Sequence, residues 1–132
     1  GTILNGRYLT GKVLGIGGFG ITYLGYDLTL EIKVAIKEYM PSAMATRHAD
    51  QYSVVLTGRV ETDYRYGMER FLDEARILAK LQNTPHIVSV QNYFKENNTA
   101  YFVMEYIDGM SLKEYLETRG GKISPGNAMR SR

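Results

Sequence analysis

The sequence predicts an α+β fold: a five-stranded antiparallel sheet with one main packed helix, an insertion before that helix and a short C-terminal helix. Three observations carry this. Segments near 8–14, 21–27, 32–38, 88–94 and 100–105 are rich in β-branched and aromatic residues, and most are joined by short glycine-rich or polar turns. Between the third and fourth, Met68 to Gln82 carries Phe71, Ala75, Leu78 and Leu81, the i, i+4, i+7, i+10 spacing of an apolar helix stripe. The third observation is the run Gly15-Ile16-Gly17-Gly18-Phe19-Gly20, which falls between two extended segments and reads as a hairpin tip.

Taken in order, Tyr8-Leu9-Thr10-Gly11-Lys12-Val13-Leu14 enters the glycines as a strand and Ile21-Thr22-Tyr23-Leu24-Gly25-Tyr26 leaves them as one. A dinucleotide-binding fingerprint must instead pass straight into a helix whose N-terminal amides hold a pyrophosphate. The strand that follows argues against that fold. Gly6 to Lys12 also fits the spacing G-x-x-x-x-G-K, but Val13 follows where a hydroxyl should bind magnesium, and no helix begins there. The third strand contains Val34-Ala35-Ile36-Lys37, with Lys37 seventeen residues beyond Gly20. The glycine turn and the lysine thereby fall on neighbouring strands, where both can face a phosphate.

From Lys37 to Glu74 the chain runs 37 residues, so an insertion is expected at about 41–66, with Tyr52-Ser53-Val54-Val55-Leu56 as an edge strand or ordered extension. Asn83-Thr84-Pro85 ends the main helix, and Lys95-Glu96-Asn97-Asn98-Thr99 is the turn between the last two strands. Ser111, with Glu114 three residues later, reads as the N-cap of a short helix to Thr118 that stops before Gly120-Gly121.

Composition excludes more than it assigns. A chain of 132 residues suffices for one domain or one lobe of a larger one. A formal charge of +2 without a basic run gives no case for nucleic acid or an acidic membrane surface. There is no cysteine, hence no disulfide scaffold, which suits a reducing cytoplasm. No segment has the length and apolarity of a membrane span, and the two histidines, His48 and His86, show no metal spacing.

Four motifs in one order resemble a known family: the glycines with Phe19, the Val-Ala-Ile-Lys strand, Glu74 within Phe71-Leu72-Asp73-Glu74-Ala75-Arg76-Ile77-Leu78, and Tyr101-Phe102-Val103-Met104-Glu105-Tyr106-Ile107-Asp108-Gly109. Together they resemble the N-terminal lobe of a serine/threonine protein kinase, over residues 7–118, and Lys37-Glu38-Tyr39-Met40-Pro41 is similar to the same region of some bacterial members. The resemblance implies ATP as cofactor. Gly15, Gly17, Gly18 and Gly20 would hold its phosphates through backbone amides, with Phe19 capping them. Thr22, where many members have valine, and the small Ala35 would enclose the adenine. Lys37 would meet the α- and β-phosphates, and Glu74 would pair with Lys37. Glu74 shares a helix face with the apolar stripe, whereas Asp73 points about 100° away. Met104 would set the depth behind the base, Glu105 to Ile107 would form the hinge, and Ser111 would contact the ribose or cap its helix. Thr84-Pro85-His86-Ile87-Val88 departs from the family's H-P-N-I-V.

No H-R-D-L-x-x-x-N, D-F-G or A-P-E motif occurs in the sequence. The expected organisation is therefore a kinase N-terminal lobe over 7–106, then the hinge and a truncated start of the C-terminal lobe over 107–132. Magnesium ligands are expected only in a missing lobe. The parent would transfer the γ-phosphate of ATP to protein serine or threonine, in the cytoplasm, while this chain alone would be inactive and would self-associate through its exposed lobe face. A pseudokinase or truncated binding module is the alternative, as is a small binding domain that converged on the pattern. The protein substrate is not legible.

Overall fold

The computed structural model describes residues 1–47, 52–81 and 89–106. The expected helix after Ser111, with Ile107, Ser111, His48 and His86, lies outside the described residues. Among the described residues, eight strands and one helix follow in chain order: β1 (Ile3–Leu4), β2 (Tyr8–Ile16), β3 (Gly20–Asp27), β4 (Ile32–Tyr39), β5 (Ala45–Thr46), β6 (Val55–Leu56), α1 (Glu61–Lys80), β7 (Val90–Glu96) and β8 (Thr99–Glu105). Six of the strands form an antiparallel sheet in the order β1-β2-β3-β4-β8-β7, and β5 pairs with β6 separately.

The five expected strands are β2, β3, β4, β7 and β8, and the sheet gains one more. Strand β1 turns back through the three residues Asn5 to Arg7, with Asn5 and Gly6 at positive φ (53° and 62°) and the Arg7 amide donating to the Leu4 carbonyl at 3.0 Å. The G-x-x-x-x-G-K spacing is thus only a hairpin. At the other end Asn97 and Asn98 (φ 56° and 59°) make a two-residue turn between β7 and β8.

Strand β4 is the centre of the sheet, paired on both sides, and from Val34 onward every residue is buried. Its side chains alternate between two apolar layers. Ala35 and Tyr39 join the layer under α1 with Met68, Phe71, Leu78 and Phe102, while Val34 and Ile36 join Leu4, Tyr8, Tyr101 and Val103 on the opposite face.

Helix α1 begins at Glu61, seven residues before the apolar periodicity indicates. Its first turns are polar, with Glu61 and Asp63 complementing the positive end of the helix dipole, and Gly67 interrupts the stripe. Aromatic packing holds those turns down. The Tyr39 ring lies 5.1 Å from Tyr64 and 5.6 Å from Phe71, its hydroxyl donates to the Tyr64 carbonyl at 2.9 Å, and the Tyr64 hydroxyl donates to the Asn98 carbonyl at 2.7 Å. Burial, with Tyr64 beside it, pushes the Tyr39 hydroxyl up to about 12, so it stays a donor at any physiological pH. Because Gly67 has no side chain, the Tyr39 ring can lie against the helix backbone; a Cβ there would overlap the Tyr39 hydroxyl.

What separates β4 from α1 is residues 40–60. This segment is tied to the sheet at several points. Val54 donates its amide to Asn97 at 2.8 Å and accepts from the Asn98 side chain at 3.0 Å, while Thr57 donates to the Met44 carbonyl at 2.9 Å. Arg47 reaches the opposite face of β4, where its two terminal nitrogens meet the Glu38 carboxylate at 3.2 and 2.5 Å and its Nε donates to the Tyr52 carbonyl at 2.7 Å. Glu38, only 2% exposed, also accepts from the Tyr23 hydroxyl at 2.9 Å. Burial opposes the charge on Arg47, but the hydrogen bonds and attraction of Glu38 outweigh it and its pKa is raised.

Asp27 performs a second buried task at the end of β3. Its carboxylate takes both ends of the Arg7 guanidinium (2.9 and 2.8 Å) and the amides of Thr29 and Leu30 (2.9 and 3.1 Å), and the Arg7 hydrogen bonds hold its pKa below the usual carboxylate value.

Two expectations follow. Gly→Ala in an exposed helix interior stabilises by about 1 kcal/mol, but Gly67→Ala is expected to destabilise by about 1–3 kcal/mol because the new methyl displaces Tyr39. Denaturant titration reads the sign, and a stabilised variant refutes the packing argument. For Asp27→Asn, a lowered melting temperature is expected at pH 7. A carboxylate whose folded pKa is depressed contributes stability that is full above its unfolded pKa of about 3.9 and is lost as pH falls through the folded pKa. The gap between Asp27→Asn and the native chain should therefore narrow below about pH 4, and a pH-independent gap refutes the assignment.

Candidate functional site

Antiparallel pairing of β3 with β4 sets Thr22 opposite Lys37 and Gly20 opposite Tyr39, so the glycine turn ends beside the lysine strand. Pairing of β4 with β8 sets Lys37 opposite Phe102 and Ala35 opposite Met104. The same face of β4 carries Ala35, Lys37 and Tyr39 toward α1. Lys37 is 8% exposed, and its ammonium lies 5.7 Å from the centre of the Phe102 ring, so the aliphatic stem is packed and the charged end is directed.

Lys37 and Glu74 line one cavity of about 350 Å³, with Phe19 from the glycine turn and Tyr39, Met44, Tyr66, Arg70 and Phe71 around them. Of the acidic residues on α1, Glu74 reaches this cavity. Asp73 instead pairs with Arg76 at 2.7 Å on the outer side, and Glu69 with Lys95 at 2.9 Å. The 100° rotation between adjacent helix positions accounts for the difference.

The glycine turn is open where a ligand would approach. A Cβ at Gly18 would meet nothing within 4 Å, whereas one at Gly20 would come within 2.6 Å of the Glu38 carbonyl. The turn is closed internally by the Gly17 amide donating to the Gly20 carbonyl at 2.8 Å. From the segment after Lys37, the Met40 amide donates to Phe19 at 3.0 Å and the Ser42 amide to Gly18 at 3.1 Å. Gly15 stands opposite Thr22 in the ladder, and Phe19 is 61% exposed at the tip.

Thr22, Ala35 and Met104 are almost wholly buried. Glu105 closes the described part of the site: its carboxylate accepts from the Ser89 amide at 3.1 Å and its amide donates to the Ser89 carbonyl at 3.0 Å, fixing the start of β7. Ile107 and Ser111 fall outside the described residues. The structure adds residues that sequence reasoning passed over: Tyr66, Arg70 and Met44 in the cavity, and Met40 and Ser42 on the glycine turn. Arg70 alone left a signal, four residues before Glu74 and hence on nearly the same helix face.

Among the described residues, no three His, Cys, Asp or Glu side chains converge as a metal site. None of the helices there is long and apolar enough to cross a membrane.

The family model for the protein kinase domain matches residues 8–130. Serine/threonine-protein kinase PrkC of Bacillus subtilis is 33% identical over 129 residues, 98% of this chain and 17% of its own length. Serine/threonine-protein kinase B of Synechocystis is 31% identical over 121 residues, 89% of this chain and 18% of its own. The chain thus spans less than a fifth of the length of these two relatives. The solved structure of the PpkA-294 apo form is 37% identical with a TM-score of 0.77, covering 89% of this chain and 41% of that one. The chain belongs to the protein kinase family, as an N-terminal lobe similar to those of bacterial eukaryotic-like serine/threonine kinases.

Proposed function

We propose that this lobe binds ATP between the glycine turn and β4, and that the protein to which it belongs transfers the γ-phosphate to serine or threonine of a protein substrate. The observation that carries the reading is the shared cavity of Lys37 and Glu74 beneath Phe19. A packed lysine whose ammonium enters a cavity beside open glycine amides suits an anionic phosphate chain. ATP when bound would supply the phosphoryl group.

This chain's residues would hold it for attack. Lys37 would bind the α- and β-phosphates, Glu74 would orient Lys37, and the amides of Gly15, Gly18 and Gly20 would take phosphate oxygens under Phe19, the Gly17 amide being already given to the Gly20 carbonyl. Thr22, Ala35 and Met104 would enclose the adenine, and the backbone of Glu105 to Ile107 would meet its edge, with Ser111 near the ribose. The described residues do not gather the carboxylates that would fit magnesium. An ATP supply places such a lobe in the cytoplasm.

The test is to titrate ATP against the native chain and Lys37→Met. Loss of a charge-assisted phosphate contact should weaken binding about ten- to a hundredfold with the fold retained. In the whole protein, the same substitution should remove nearly all transfer. Equal affinity in both chains refutes the role of Lys37. Stoichiometric labelling of the 132-residue chain by labelled ATP and magnesium would refute the view that it lacks transfer activity on its own.

A lobe of this kind uses its apolar underside against a second lobe, and the separated chain is expected to self-associate through that face. Light scattering across a concentration series decides it; a strict monomer at high concentration refutes it.

A further inference from the structure

Two contacts from the segment after Lys37 bear on the glycine turn through its carbonyls, not through the amides that a phosphate would use. The Met40 amide holds the Phe19 carbonyl at 3.0 Å and the Ser42 amide holds the Gly18 carbonyl at 3.1 Å. These are the carbonyls of the turn's tip, where a glycine-rich backbone has the most conformations to lose. The turn donates its remaining amides to a ligand most effectively when its tip is already fixed.

The segment that supplies these two amides is itself anchored. Pro41 limits the backbone between them, and its carbonyl accepts from Met44 at 3.0 Å and Ala45 at 2.9 Å, so residues 41–45 form a closed turn. Two residues beyond Ala45, Arg47 grips Glu38 through both terminal nitrogens. Glu38 adjoins Lys37 and points to the other face of β4. The bonds therefore form one loop of structure: β4 carries Lys37, residues 40–42 hold the glycine tip, and Arg47 returns the segment to β4.

We propose that residues 40–47 are a positioning element for the glycine turn, with Arg47 as its anchor and the Met40 and Ser42 amides as its grip. The element rests on the reading that the turn holds ATP phosphates. Arg47 touches no ligand. It acts through Glu38 and the closed turn, by keeping the tip in the conformation that receives the nucleotide.

The test uses the 132-residue chain with Arg47→Ala, Arg47→Lys, Ser42→Pro and Ser42→Ala, reading amide exchange by NMR and ATP affinity by titration. In Arg47→Ala, exchange at the Met40 and Ser42 amides should rise about tenfold or more while amides of 68–78 in α1 keep their protection. ATP affinity should fall severalfold, with partial recovery in Arg47→Lys, which keeps the charge and loses the two-pronged grip. Ser42→Pro removes one gripping amide and should weaken ATP similarly, whereas Ser42→Ala keeps that amide, loses only the long 3.5 Å bond of the Ser42 hydroxyl to the Gly18 carbonyl, and should weaken ATP far less. Unchanged exchange at Met40 and Ser42 in Arg47→Ala overturns the anchor, as does a rise shared equally with α1. Equal ATP affinity in Ser42→Pro and Ser42→Ala overturns the grip. If the native chain binds no ATP, the proposed function fails, while the exchange measurement still decides whether Arg47 controls the segment.

Discussion

The contact of the Tyr39 ring with the bare backbone at Gly67 fixes the distance on which the site depends. Tyr39 lies two residues beyond Lys37 on the same face of β4, and Glu74 lies two turns beyond Gly67 on α1. One aromatic ring wedged between strand and helix therefore sets how closely the lysine and the glutamate approach. The bond from the Tyr39 hydroxyl to Tyr64 and the Thr99 hydroxyl's bond to the Tyr39 carbonyl hold the ring and its backbone from two sides. A helix interior gives up propensity at a glycine, and the packing of Tyr39, Tyr64, Phe71 and Phe102 offsets that loss.

Much of this was legible in the sequence because it rested on periodicity and short-range chemistry. The five principal strands, the glycine turn, the lysine strand and the choice of Glu74 over Asp73 follow from two- and 3.6-residue periods and motif order. Less visible was the start of α1. Gly67 reads as a breaker in isolation, and the polar residues Glu61 to Arg65 carry no apolar stripe; only contacts with Tyr39 and Asn98, distant in sequence, show why they are helical. Strand β1 had a signal in Asn5-Gly6, but a strand of two residues is too short to show alternation. Pairing of Ala45–Thr46 with Val55–Leu56 was beyond reach, since two-residue strands are specified by what surrounds them.

The same distinction applies to the candidate site. Motif order pointed to Lys37 and Glu74, which the structure brings to one cavity. The amides of Met40 and Ser42 and the lining role of Met44 leave no trace in residue type, since any residue but proline offers an amide. Arg47 was equally silent: an arginine in a polar insertion resembles a solvated charge until a buried carboxylate is found opposite it.

Placing Lys37 and Glu38 side by side on the central strand has a consequence for folding. A slip of one residue in the pairing of β4 would exchange the faces of its whole side-chain set. In an apolar strand buried on both sides, such a slip costs little hydrophobic burial at Val34, Ala35 and Ile36, which are acceptable to either layer, and only Tyr39 has a place fitted to it, against Gly67. Here it would drive a carboxylate into the cavity beside Glu74 and leave Arg47 facing an ammonium. Two adjacent residues of opposite charge, Glu38 held by Arg47 on one face and Lys37 turned on the other to the cavity that Glu74 lines, thus make misregistered pairings electrostatically unfavourable in a strand whose Val34, Ala35 and Ile36 do not distinguish them.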